Sequence, residues 1–179
     1  MLKTVKPINY FDLLKPWIAS FVLLPVIIYY TLNSGKFTFI DYINLLIHEG
    51  GHGIFKIFGK FIYTLGGTLA QIIIPGMFVV YYIIVKKRIL AQCFMVWLGE
   101  NLLNISVYAA DARAQKLPLL GGKKVYHDWT YLLIQTNLLE YDQIIGQVIY
   151  WFGISVFIVS FLMPLFMKKY EQAKITLPL

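Results

Sequence analysis

Five long apolar runs limit what this chain can fold into: Trp17–Leu32, about Phe39–Phe58, about Thr68–Val85, about Ile89–Ala110 and about Ile144–Met167. Each is near the roughly 20 residues that an α-helix needs to cross a ~30 Å hydrocarbon core, the first being short. Of the 179 residues, 59% are hydrophobic and only 14% are charged, whereas a soluble domain carries about 25% charged residues. The chain is therefore predicted to be all-α, a polytopic membrane helix bundle of about five membrane segments. Its length suits one integral membrane domain over 1–179, with a core over 39–128 and an exposed tail, Lys168–Leu179. The net charge of +7 comes partly from Lys86-Lys87-Arg88 and Lys168-Lys169, which directly follow apolar runs. That placement reads as headgroup anchoring in a lipid bilayer, not as nucleic-acid binding. The first run follows Lys3, Lys6 and Lys15, and no small-residue cleavage site lies near its end. It reads as a retained span or signal anchor. If all five runs cross, nine Lys and Arg fall on one side and seven on the other, so the positive-inside rule sets no orientation.

The second run contains His48-Glu49-Gly50-Gly51-His52, an H-E-x-x-H motif. Residues four apart share a helix face, so His48 and His52 are placed to bind one zinc ion. Glu49 lies one step round the helix, as the general base for a zinc-activated water. Ionisable groups at membrane depth are costly, so a His-Glu-His set there marks a functional site. Asn44, one turn earlier, is placed to orient a ligand imidazole. Gly50, Gly51 and Gly53 remove bulk beside the motif. The following segment, Gly59–Gly67, has a β-favouring middle between glycines. It reads either as a plain loop or as a short re-entrant strand after the motif helix, offering an edge to an unwound substrate.

Zinc needs a third protein ligand and keeps a fourth position for water. Three residues qualify. Asp111 ends the fourth run, where Glu100, Asn104, Tyr108 and Asp111 form a polar stripe at helical spacing; a surface ion pair with Arg113 is its structural alternative. His127 is the only histidine outside the motif, and Asp128 is its neighbour. Asp128 also suits the N-cap of a helix starting at Trp129. Gly121-Gly122 would give these two a flexible approach. Trp129–Leu139 reads as a shorter amphipathic stretch at the interface. The single cysteine, Cys93, excludes an intramolecular disulfide and a Cys-rich zinc site. No phosphate-cradling glycine loop is present.

From Phe39 to Ala112 the chain resembles the site-2 protease family of intramembrane zinc metalloproteases, in its compact bacterial form. The shared order is a motif helix, a glycine-containing hairpin (here Gly59–Gly67), a second helix, and a third with Asn and Asp (here Asn101, Asn104 and Asp111). By this resemblance Asp111 is the third ligand, although Ala110-Asp111-Ala112 stands where the family carries Leu-Asp-Gly. His127 and Asp128 stay as alternatives. The resemblance implies a bacterial plasma-membrane enzyme that cuts the membrane-spanning helix of another protein. Asn104 is a candidate oxyanion donor beside Glu49. Two other classes fit the same residues: a non-proteolytic zinc-binding membrane scaffold or sensor, and a metal-dependent hydrolase of lipid or a small amphiphile.

Overall fold

A computed structural model describes residues 13–118 and 126–167. The expected Gly121-Gly122 approach and the Lys168–Leu179 tail lie outside the described residues. Helix α1 (Ile18–Leu32) follows a 3-10 turn over Lys15–Trp17. Pro16 suits that turn, because its ring pre-sets φ and an N–H there has no helical partner. Helix α2 (Phe39–Phe55) is started by Thr38, whose backbone N–H donates to Asp41 Oδ2 at 2.6 Å. This reciprocal cap satisfies a donor that the first turn would otherwise orphan. A 3-10 turn over Lys56–Phe58 and Gly59, with φ +86°, separate α2 from α3 (Lys60–Ile84). Only glycine adopts that φ without steric cost. Helices α4 (Arg88–Ala110), α5 (Asp128–Gln135) and α6 (Asp142–Phe166) complete the described residues.

The expectation of a re-entrant strand, or of a plain loop, over Gly59–Gly67 is corrected: this segment opens α3, and no strand occurs among the described residues. The β preference of Phe61, Ile62 and Tyr63 yields to packing. A Cβ on Gly66 would lie 2.7 Å from Phe55 Cβ, and one on Gly51 would strike the Gly66 carbonyl. The two helices therefore meet backbone to backbone, a contact that small residues permit. No strand edge is offered to a substrate here.

Among the described residues, three helical stretches are long and apolar enough to cross a membrane: Lys15–Leu32, Lys60–Ile84 and Leu139–Phe166. The expected five exceed this by the two helices that carry the polar groups. Helix α2 has 17 residues, about 26 Å at 1.5 Å per residue. Helix α4 buries Arg88, Gln92, Glu100 and Asn101. It is the hub of the bundle, packed most extensively on α6, with α3, α1 and α5 around it, while α2 lies on α3. The interior is unusually polar. Gln92 Nε2 donates to Ser20 Oγ at 2.8 Å and to the Ser160 carbonyl at 2.9 Å, tying α1, α4 and α6 together. Large apolar side chains such as Leu32, Leu46, Ile84 and Phe152 face outward. Polar inside and apolar outside is the arrangement a hydrocarbon solvent selects.

Candidate metal centre

The motif helix places His48 and His52 one turn apart, their ring centroids 4.8 Å from each other. The start of α5 brings Asp128 to both. Its Oδ2 lies 2.9 Å from His48 Nε2 and 3.2 Å from His52 Nε2. Among the described residues these three form the one group of His, Cys, Asp and Glu whose ligand atoms all converge, within 4.8 Å of one another. A tetrahedral cation with bonds of about 2.0–2.2 Å holds its ligand atoms roughly 3.3 Å apart, close to the 2.9 and 3.2 Å between Asp128 Oδ2 and the two imidazoles.

The far side of each ring fixes its orientation. His48 Nδ1 lies 2.8 Å from Gln71 Oε1, and His52 Nδ1 lies 2.8 Å from the Tyr63 carbonyl oxygen. Both Nδ1 atoms therefore carry protons, leaving both Nε2 lone pairs for the shared point. This is the usual posture of metal-ligating histidine. Were the Asp128 contacts hydrogen bonds alone, both rings would need protons on both nitrogens, placing two cations on one carboxylate. A divalent cation removes that requirement.

The other sequence candidates have different work. Asp111 caps the end of α4: its Oδ1 accepts from Lys116 N–H and its Oδ2 from Leu117 N–H, each at 2.9 Å. Its Oδ2 also lies 3.5 Å from His127 Nε2. Both oxygens are thus engaged away from the motif. Arg113 pairs with Asp142 at 2.6 Å instead of with Asp111. His127, not Asp128, caps α5, its Nδ1 accepting from Thr130 N–H at 3.3 Å. Burial holds this imidazole below its usual value, against the pull of Asp111 and Asp128. Freed from capping, Asp128 turns toward the motif, and its backbone N–H donates to Tyr108 Oη at 3.1 Å. Asn104 donates from Nδ2 to Asp41 Oδ1 at 2.7 Å, so that amide N–H is committed within the protein. Asn44 donates to Glu100 at 2.6 Å and accepts from Trp97 at 2.9 Å, so it does not orient His48. Gln71 does, a residue the sequence reading passed over. Its signal is the stripe Thr64, Thr68, Gln71 at helical spacing, all three buried.

Glu49, His48, His52, Asp128 and Tyr108 line one cavity of about 630 Å³, which also reaches Phe37, Leu45, Lys60 and Tyr131. Such a volume falls within the range of roughly 300–1,000 Å³ typical of ligand sites. Gly67 forms part of the seat for His48, since a Cβ there would lie 2.5 Å from Nε2. Gly67→Ala is therefore expected to displace the imidazole and weaken divalent-cation binding about tenfold or more, the scale of lost ligand support. The helix itself should persist, because Ala favours it over Gly by about 1 kcal/mol. Chelator competition and circular dichroism on the purified variant check the two halves.

Comparison of the chain with protein-family models, curated proteins and solved structures finds no match.

Proposed function

We propose that this protein is an intramembrane zinc metalloprotease, as its resemblance to the site-2 protease family suggests, with His48, His52 and Asp128 as the protein ligands. One observation carries the reading: two imidazole Nε2 atoms and a carboxylate oxygen converge while both Nδ1 protons are spent on fixed oxygens. Two neutral nitrogens and one oxygen anion form a donor set suited to zinc in a hydrolytic site, where a fourth position stays open. When bound, zinc supplies Lewis-acid polarisation of the scissile carbonyl and acidifies water.

The chain's own groups supply the rest. Glu49 lines the same cavity as the three ligands. It takes the proton of the attacking water and returns it to the leaving amine. Tyr108 Oη accepts the Asp128 N–H and keeps its own proton for the oxyanion that develops at the attacked carbonyl. Its ring centroid lies 5.9 Å from that of His48, so it borders the ligand face. The substrate is a membrane-spanning segment of another protein. Supporting this, three helical stretches among the described residues are themselves long and apolar enough to cross a membrane, and the bundle exposes an apolar outer surface around a polar interior.

The test uses the full chain in proteoliposomes with a labelled single-span peptide. Cleavage should stop with a zinc chelator and return with added zinc. Stoichiometric zinc with no peptide cleaved would instead mark a scaffold or sensor. Hydrolysis confined to lipid esters would mark a lipid hydrolase.

A further inference from the structure

We infer that Gln71 is a positioning residue that sets the tautomer of His48, through an amide relay anchored at two separate points. The inference rests on the reading of His48 as a metal ligand. His48 offers a lone pair at Nε2 only while Nδ1 holds the proton, and Nδ1 faces the Gln71 amide at 2.8 Å. An amide presents oxygen or nitrogen with the same shape, so its partners must decide which one faces the ring.

Both partners decide the same way. Asn101 Nδ2 donates to the Trp97 carbonyl at 3.0 Å, and a carbonyl only accepts. Asn101 Oδ1 must then face Gln71, where it accepts from Nε2 at 3.3 Å. Asn104 Nδ2 donates to Asp41 Oδ1, and Asp41 is itself oriented as an acceptor by the Thr38 N–H. Asn104 Oδ1 therefore also accepts from Gln71 Nε2 at 3.3 Å. With its nitrogen committed twice, Gln71 can turn only Oε1 to His48. A flipped amide would set its oxygen against both Asn oxygens and press NH2 against Nδ1. Gln71 is 3% exposed and Asn101 fully buried, so a partner lost here leaves a buried polar group behind at a cost.

The two imidazoles are thus oriented by different means. His52 uses a main-chain carbonyl, which side-chain substitution leaves in place. His48 depends on one side chain. Without Gln71, a proton on Nε2 facing Asp128 becomes the better-bonded form of His48, and that form cannot bind metal.

The experiment compares the full chain with Gln71→Met, which keeps length and loses the strong acceptor, and Gln71→Glu, which restores an oxygen. In metal-free protein carrying 15N-histidine, two-bond proton–nitrogen correlation reads the His48 tautomer. The expected result is a protonated Nδ1 in the parent and Gln71→Glu, whether or not Nε2 also carries a proton toward Asp128, and a bare Nδ1 with Nε2–H alone in Gln71→Met. Zinc affinity, read by competition with a chromophoric chelator, should fall about 10–100-fold in Gln71→Met and stay within a few-fold in Gln71→Glu. An unchanged tautomer in Gln71→Met overturns the inference, as does an equal loss in both variants, which would indicate packing alone. If the parent chain itself binds no zinc, the metal reading fails, while the tautomer comparison still decides the role of Gln71.

Discussion

Glu49→Ala should stop peptide hydrolysis while zinc affinity stays within a few-fold of the parent protein. The separation follows from where the carboxylate sits. Glu49 is on the motif helix, exposed to the cavity that His48, His52 and Asp128 also line. It is not one of the residues whose ligand atoms converge. Its loss therefore leaves the donor set whole and removes the only proton acceptor that the motif adds beyond the ligands. A positioned general base contributes about 10²–10⁴-fold to rate, which would put the variant near the floor of a proteoliposome assay. Glu49→Gln should lose as much, since the amide keeps the shape and cannot take the proton. Glu49→Asp should keep part of the rate, because the acid remains but is one methylene short. Cleavage by Glu49→Ala at the parent rate would end the proposed mechanism. Parallel loss of zinc would move Glu49 into the ligand set.

The motif was legible because it is local. The pairing of His48 with His52 needs only the helical repeat, and the stripe Glu100, Asn104, Tyr108 faces the bundle as its spacing requires. Asn104 contacts Asp41 and Gln71, and Tyr108 contacts Asp128. The choice of Asp128 among the three candidates for the third ligand was not legible, because α5 reaches the motif across 80 positions of sequence. Asp111 ends a helix in a suitable order, but a tight turn spends its oxygens on Lys116 and Leu117, and nothing in the spacing reveals that turn. The segment after Gly59 failed differently. Its residues favour a strand locally, yet Gly66 and Gly67 are needed where α3 presses on α2, and packing decides. Run length alone also does not separate a crossing helix from a central one. An apolar run and a central helix with one polar face look alike until the neighbours of Gln92 and Glu100 are known.

Among the three acidic or imidazole candidates, Asp128→Ala is expected to be the variant that loses zinc. A zinc affinity of about 10–16 kcal/mol shared by three protein ligands is roughly 3–5 kcal/mol each, so removing one should weaken binding on the order of a thousandfold. Asp111→Ala and His127→Ala should do far less, because neither side chain reaches the shared point. Their effect should come through α5. His127 caps that helix through Thr130 N–H, and losing such a cap costs about 1 kcal/mol. Asp111 holds the 111–117 turn beside it. A several-fold loss is therefore the expected scale for both. Asp128→Asn adds the discriminating case. It preserves size and hydrogen bonding to the imidazoles but withdraws the negative charge. If Asp128 served only as a hydrogen-bonding partner of His48 and His52, the amide would keep most of its effect. As a ligand it should fall close to Asp128→Ala, with the helical content of the bundle unchanged. Zinc retained by Asp128→Ala and lost by Asp111→Ala would return the third position to the end of α4. It would also require the turn at Lys116 and Leu117 to open before metal binds.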